Sequence, residues 1–415
     1  MKTKRIVFNL LTIIALFAAG CQKDDTVPVK ATFEGGEVSG VWKKNSTNEI
    51  RGHLIIPGGQ SLTIEEGATV IMADTSLATE IIVNGSLYCK GTQSNPVTFT
   101  VPAGLRTTEN AMKGLWGGIL ANTTAEEILF DNTILEYAGA ITTEASPSVQ
   151  RSLYKGEAGE RLPVLWTSNT SGKVVITNSI IRNIAEDCFY FEGGKILIMN
   201  STFHTSGVSG GEAINVKSGC LVDACYNLIY SPNTNGFKLS NSDEREPQAT
   251  IYAYNNTIVN AGWRRPSVKG GSVWVENNVK ANIYNNLIAN CRYGVKDNGA
   301  DASSVHDYNF FYGYNQTCVD QFQTTEAKVV QGAHDIAGTV AEENNPMFVN
   351  YPVNTDMYNA IFDDSWDFHI LAGSPVIGKG TTGFTRLFGV NGITVNGVTY
   401  TSPDPSTTVG AFGTN

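Results

Sequence analysis

The chain has 415 residues, of which 41% are apolar and only 16% charged, and its formal net charge is −10. This length suits one large or two ordinary domains, and an acidic chain without a basic run is a poor partner for nucleic acid. Glycine is frequent, with 42 residues, and asparagine is abundant, which favours a turn-rich β protein over a helical one.

The first residues have the pattern of a cleaved signal. Residues 1–5 are basic, and the mostly apolar run that follows ends at Ala19, too short for a stable membrane span. The small residues before Cys21 resemble the lipobox of bacterial lipoproteins, with Ala18 where leucine is usual. The resemblance implies that residues 1–20 are removed and that Cys21 carries the lipid.

A tether over residues 21–33 follows the signal. Within it, Lys23–Asp25 resembles the export signal of lipoproteins that some Gram-negative bacteria place on the outer face of the outer membrane. The resemblance implies a lipid-anchored, surface-exposed protein whose membrane contact is the lipid. The alternative is an ordinary secreted protein in which Cys21 has no special role.

A short motif recurs through the middle of the chain at spacings of 22 to 30 residues. Each copy has one or two asparagine or serine residues, then any residue, then an apolar residue. The last apolar residues of the copies are Ile181, Phe203, Ile229, Ile258, Ile288 and Phe311. Apolar residues alternate before each motif, which indicates short β-strands.

A single repeat of this length cannot bury its own apolar face, so successive repeats must stack on one another. A parallel β-solenoid is therefore predicted, in which like residues form columns and asparagines take tight turns whose amides bond the next coil. An antiparallel sandwich is the alternative, but its closely spaced hairpins are not evident. The residues expected to point inward are Val174, Ile176, Ile196, Ile198, Ile251 and Ile283.

Several ordered motifs resemble one family. Leu62–Gly67 and Trp116–Ile119 resemble the first coils, and Asn345–Phe348 and Asp367–Pro375 the closing coils, of pectate-lyase-like surface lipoproteins. The resemblance implies an all-β fold, a single-stranded right-handed parallel β-helix. The domains expected are coils over residues 34–350, then closing coils and a C-terminal cap over 351–415. The family includes lyases, hydrolases, binding proteins and adhesins, so the resemblance is weak for function.

Six cysteines besides Cys21 permit disulfides in an exported protein, and Cys220 and Cys225 are the nearest pair. Isolated cysteines on strands more often serve as small buried apolar residues. The spacing of cysteines and histidines matches no metal site, so no metal is predicted.

A second short strand follows each motif, and its middle residue should face outward because side chains alternate across a strand. Arg264 and Arg265, on the loop before Trp274, would extend the resulting row and favour an acidic glycan. Rings and polar donors suit a sugar chain, whereas the alternative is that the row packs only against itself. The middle residues are Tyr190, Asn215, Lys238, Trp274 and Lys296.

The sequence thus favours a non-catalytic monomer that binds a polysaccharide or another extracellular macromolecule. The alternative is a polysaccharide lyase, with a basic residue as the base and Ca²⁺ as a cofactor, or a glycoside hydrolase. A hydrolase needs converging carboxylates, but Glu192 and Glu276 are two or more coils apart. The candidate bases are Lys217, Lys238, Arg264, Arg265 and Lys296.

Overall fold

This computed structural model describes residues 29–242, 245–265, 270–326 and 328–414. Cys21 and the other residues of the predicted lipoprotein signal lie outside the described residues. In the described part of the chain, no helix is long and apolar enough to cross a membrane.

The described part of the chain is almost entirely short β-strands. The strands of the first coils are β1 Lys30–Phe33, β2 Gly36–Glu37, β3 Gly40–Trp42, β4 Thr47–Ile50, β5 Leu54–Ile56, β6 Ser61–Glu65, β7 Thr69–Met72, β8 Ile81–Val83, β9 Ser86–Lys90, β10 Val97–Thr100, β11 Ile119–Ala121, β12 Glu127–Asp131 and β13 Thr133–Glu136. The middle coils contain β14 Leu165–Thr167, β15 Lys173–Thr177, β16 Ile180–Ile184, β17 Phe189–Phe191, β18 Gly194–Met199, β19 Thr202–Ser206, β20 Ile214–Val216, β21 Cys220–Cys225, β22 Leu228–Pro232, β23 Asn235–Ser240, β24 Thr250–Tyr254 and β25 Thr257–Val259. The remaining strands are β26 Gly271–Glu276, β27 Lys280–Tyr284, β28 Leu287–Ala289, β29 Val295–Asn298, β30 Val305–Asp307, β31 Phe310–Tyr312, β32 Val329–Val330, β33 Ile336–Ala337, β34 Phe348–Asn350, β35 Asp367–Ile370, β36 Ile393–Val395 and β37 Val398–Tyr400. The helical segments are two 3-10 turns, Ala103–Leu105 and Thr108–Asn110, and two short helices, α1 Pro147–Gln150 and α2 Gln316–Gln321.

Every third strand joins the same sheet, which confirms the predicted parallel β-solenoid. Sheet A has 12 strands, from β1 and β4 through to β31 and β33; sheet B has 11, from β2 and β5 to β29 and β32; and sheet C has 10, from β3 and β6 to β30. Neighbouring strands within these sheets pair in parallel except at the end of sheet B, where β32 runs antiparallel to β29. Two antiparallel pairs, β34 with β35 and β36 with β37, lie outside the coils.

The interior of the solenoid consists of stacked apolar side chains. The last residues of the repeated motif, from Ile181 through Ile229 to Phe311, are register partners in consecutive strands of sheet A. All six side chains predicted to point inward belong to one buried core, which confirms that part of the sequence analysis. Side chains lose water when they stack in this way, and that burial favours the coiled state.

A ladder of polar side chains lies beside this core at the turn into sheet A. Asn227 donates its backbone N–H and its Nδ2 to Asn256 Oδ1, both at 3.0 Å, and Asn256 donates in the same way to Asn286. The preceding motif residue adopts a positive φ, for example 49° at Asn255, which asparagine tolerates better than most residues. The amide-to-amide bonding that the repeat predicted is therefore confirmed. The ladder comprises Thr133, Ser179, Ser201, Asn227, Asn256, Asn286, Asn309 and Asp335.

The six cysteines at positions 89, 188, 220, 225, 291 and 318 are buried free thiols. Cys220 and Cys225 begin and end β21 and are not joined. Burial raises the pKa of both thiols, so they remain protonated and behave as small apolar side chains.

Residues 346–414, here called the C-terminal strap, pack along the outside of the coils. Apolar side chains of the strap cover parts of sheets A and C, and Asp223 Oδ2 accepts a hydrogen bond from Phe388 N at 2.8 Å. Farther along, Asn285 Nδ2 donates to Thr381 O at 2.8 Å. The sequence-based boundary at residue 350 stays a prediction, although the last coil strand in sheet A, β33, ends at Ala337. The strap's apolar contacts thus lie on sheets A and C.

Candidate functional site

Strand register places the five predicted site residues of the second strands in one row on sheet B. Tyr190 pairs with Asn215, Asn215 with Lys238, Lys238 with Trp274, and Trp274 with Lys296. Because adjacent strands lie about 4.8 Å apart, the row is roughly 19 Å long. The residues on both sides of the first four positions, and Val295 before Lys296, are buried in the core, so the row faces outward, as the alternation predicts. Its role in binding stays a prediction.

Side chains of the row also contact one another. Lys238 Nζ lies 2.7 Å from Glu276 Oε1, and Trp274 donates its Nε1–H to Glu276 Oε2 at 2.7 Å. The ammonium groups of Lys238 and Lys296 lie 4.9 and 4.8 Å from the centre of the Trp274 ring, within cation–π range. Asn215 and Lys296 are each only 6% exposed, whereas the other three side chains are half-buried. The accessible part of the row is therefore two aromatic rings and one lysine, held by these contacts.

The two arginines predicted to extend the row occupy different surroundings. Arg264 donates from Nη1 to Gly207 O at 2.9 Å and from Nη2 to Ser231 O at 2.8 Å, and burial lowers its pKa to about 10. The guanidinium of Arg264 is thus engaged by backbone carbonyls at the sheet A side of the coil. Arg265 lines a groove beside the Tyr190 end of the row.

This groove, here called the acidic groove, encloses about 570 Å³. One wall is the long loop between β13 and β14, which contributes Tyr154 and Arg161, and the floor includes Tyr190 and Asn215. The Tyr154 and Tyr190 rings meet edge to face with centroids 5.1 Å apart. Four carboxylates line the groove: Glu160, which pairs with Lys155, and the neighbouring Glu186, Asp187 and Glu212.

Asp187 is held in the groove by three hydrogen bonds. Asp187 Oδ1 accepts from the backbone N–H groups of Gly211 and Glu212 at 3.1 and 2.8 Å, and Oδ2 accepts from Asn215 Nδ2 at 2.9 Å. The other polar atom of the Asn215 amide, Oδ1, is buried without a hydrogen-bond partner. An unpaired buried acceptor of this kind is uncommon in folded proteins.

Burial and mutual repulsion separate the protonation states of these carboxylates. Burial, then the charge of Glu212, raises the pKa of Glu186 to about 7, although Lys155 and Arg161 act in the opposite direction. Burial, then the same neighbour, raises the pKa of Asp187, so the Asp187–Glu212 pair retains a proton and leaves one negative charge. The groove thus contains a proton donor and an ionised carboxylate side by side near neutral pH.

Lys217 lies at the border of the groove and the row. Its ammonium group is 5.5 Å from the centre of the Tyr190 ring. Burial, then the charge of Lys238, lowers the pKa of Lys217, whereas Glu276, Glu212 and Asp187 act to raise it. A lysine with a lowered pKa is better able to accept a proton than an ordinary surface lysine.

No group of three or more histidine, cysteine, aspartate or glutamate side chains in the described ranges is arranged to hold a metal ion. The donor set of the acidic groove agrees with this, because Asp187 already accepts three hydrogen bonds and shares a proton with Glu212.

Comparison with known families supports the architecture. A family model described as a pectate-lyase like beta helix domain matches residues 36–157. In its fold, the chain is a parallel β-helix. The match covers less than a third of the chain and fits a carbohydrate-related role. No curated protein and no solved structure matches the chain.

The acidic groove was not predicted from the sequence. Asp187 and Glu212 each stand two residues before the first core residue of a sheet B strand, Phe189 and Ile214. Equivalent positions in consecutive coils stack, so acidic residues at the same position of two neighbouring coils could have predicted a cluster of carboxylates. The positions of Glu186 and Tyr154 in the groove depend on turn and loop conformations, which no sequence pattern of this kind predicts.

Proposed function

We propose that this protein binds a polysaccharide along sheet B, in the acidic groove and over the row from Tyr190 to Lys296. The observation that carries the proposal is the register that aligns these side chains beside a groove of about 570 Å³. Aromatic rings stack on the apolar faces of sugars, and amide and ammonium groups donate to hydroxyl and carboxylate oxygens.

Charge along the row favours an acidic polysaccharide. Lys217, Lys238 and Lys296 lie on or beside the row, and Glu276 forms an ion pair with Lys238. Lys217 and Lys238 are half-buried, and their ammonium groups lie beside the Tyr190 and Trp274 rings, so carboxylates of an acidic chain would meet them there. Binding of this kind weakens as salt concentration rises because part of it is electrostatic.

The test is electrophoresis through gels that contain pectin, alginate or chondroitin sulfate. We expect the single substitutions Trp274→Ala and Lys238→Ala each to weaken retention at least about tenfold, since each removes a contact of more than 1 kcal/mol. Matched controls are Tyr358→Ala and Lys379→Ala, exposed residues of the strap that should leave retention unchanged. Equal retention of the row variants and the parent protein would exclude this face.

We also propose that the protein is lipid-anchored at Cys21 and displayed on the cell surface. Several acyl chains anchor a protein stably, whereas one binds only marginally, and the lipobox resemblance implies several. Replacing Cys21 with serine should release soluble protein, measured by cell fractionation. Membrane association that survives this replacement would contradict the anchor, and protease treatment of intact cells separates surface from periplasmic display.

A second candidate function is cleavage of the bound polysaccharide, favoured by the carboxylates of the groove. Glu186, with a pKa of about 7, suits a general acid, and the ionised member of the Asp187–Glu212 pair suits a base or nucleophile. β-Elimination would instead use Lys217 as the base. Hydrolysis releases new reducing ends alone, whereas elimination also forms an unsaturated uronate that absorbs ultraviolet light. Retention without either product leaves binding as the function.

A further inference from the structure

A second cleft lies on sheet A, a different face of the solenoid from the acidic groove. Its base is formed by Arg182 on β16 and His204 on β19, which are register partners in adjacent coils. Loop residues 106–112 form one side, and Phe362 and Asp364 of the C-terminal strap form the other. The cleft, here called the strap cleft, encloses about 400 Å³.

His204 presents a hydrogen-bond acceptor in this cleft. Thr205 donates its hydroxyl proton to Ala360 O at 2.7 Å, so the same hydroxyl oxygen accepts from His204 Nδ1 at 3.1 Å. With the ring proton on Nδ1, the lone pair lies on Nε2. Burial, then the charge of Arg182, lowers the pKa of His204 to about 3, so the imidazole is neutral at physiological pH.

Two guanidinium groups supply the donors. Arg182 donates from Nε to Glu136 Oε2 at 2.8 Å, and its Nη1 lies 3.8 Å from Asp364 Oδ2. Arg106 donates from Nε to Val101 O at 2.8 Å, which orients its exposed head group along the rim. The charges of the two arginines are balanced by those of Glu136 and Asp364, so the cleft has little net charge.

Aromatic rings complete the surface. The Phe362 ring stacks on the His204 imidazole with centroids 4.3 Å apart, and Trp366 lies 5.3 Å from Phe362. Phe362 and Trp366 are only half-buried, and both line the continuation of the cleft towards His369. An apolar platform next to fixed donors and an acceptor suits a molecule with an apolar face and hydroxyl edges.

We propose that the strap cleft is a second binding site, separate from sheet B, and that it takes an uncharged sugar unit. A neutral ligand follows from the balance of charges, and a hydroxylated ring follows from the combination of guanidinium donors, the His204 acceptor and the aromatic platform. The strap cleft differs from sheet B in its ligand preference, because sheet B presents lysines and favours ligands with carboxylates. The proposal does not rest on the sheet B function.

The test is calorimetric titration of the full chain with neutral hexasaccharides of the cellulose, xylan, mannan, laminarin and starch types. We expect binding of at least one of them, accompanied by a change in tryptophan fluorescence from Trp366. Phe362→Ala and Arg106→Ala should each weaken that binding about tenfold or more. Arg106 is exposed on a loop, so its replacement tests the site even where Phe362→Ala impairs folding.

A matched control and a sheet B variant separate the two sites. Arg51→Ala, at a half-exposed arginine of the first coils, should leave binding of the neutral hexasaccharide unchanged. Failure of every neutral hexasaccharide to bind would overturn the proposal, and so would binding that neither Phe362→Ala nor Arg106→Ala weakens. Loss caused by Trp274→Ala would assign the ligand to sheet B instead.

Discussion

Replacing Asn256 with alanine should destabilise the coils by about 3 kcal/mol, because it interrupts the buried ladder on both sides. Asn256 Oδ1 accepts two bonds from Asn227, and its Nδ2 donates to Ala224 O and Asn286 Oδ1 at 3.0 and 2.9 Å. Asn256 is fully buried, so no water reaches the groups that lose their partners. Chemical denaturation measures the change in the free energy of unfolding.

The matched control is Asn95→Ala, because Asn95 is exposed on a turn. Its replacement should change the free energy of unfolding by less than about 0.5 kcal/mol. Equal effects of the two substitutions would mean that the ladder contributes no more than a surface asparagine. That result would contradict the structural role assigned to the repeated motif.

The second large effect concerns pH. Glu186 has a pKa of about 7 in the folded chain against an ordinary value of 4.5, so the folded state retains a proton that the unfolded state loses. The contribution of Glu186 to the free energy of unfolding is therefore fully present below pH 4.5 and is lost as the pH rises to about 7. Glu186→Gln removes that loss, and the variant should be more stable than the parent at pH 8 by about 3 kcal/mol.

The comparison is made by thermal unfolding between pH 4 and pH 8. The advantage of Glu186→Gln should vanish at pH 4, where the parent carboxyl is also neutral. Glu109→Gln serves as the control, since the Glu109 side chain is 86% exposed and should change little at any pH in this range. Parallel curves for Glu186→Gln and the parent would show that Glu186 titrates like a surface carboxylate.

Local patterns in the sequence were sufficient to predict the solenoid. The motif ending at Ile229 or Ile258 repeats because each coil must supply one core residue and one amide for the ladder, and both requirements are visible in the sequence. Core positions such as Ile196 and Ile251 follow from strand alternation for the same reason. The motif in one coil is a weak indication of structure, but its recurrence in many coils makes the prediction strong. A fold without repeats offers no such recurrence.

The candidate sites were less accessible to this reasoning. Sequence alternation placed Trp274 on the outer face, but not the contacts by which Lys238 and Lys296 surround its ring. Arg264 was expected in the row because of its position in the chain, whereas the structure directs its guanidinium to carbonyls of other coils. Loop and strap residues such as Tyr154 and Phe362 reach their sites through long-range packing, which no local pattern encodes.

The C-terminal strap changes how the solenoid unfolds. Coils of a solenoid contact only their neighbours, so an unrestrained end can fray one coil at a time. The strap instead bonds to coils far apart in the stack, with Asn396 N donating to Glu127 Oε2 at 2.8 Å and Thr381 O accepting from Asn285. A coil between these points cannot open without disturbing the strap, which makes the middle coils a cooperative unit. Because the strap follows the coils in the sequence, that cooperativity and the strap cleft are both completed only when residues 346–414 dock on the coils.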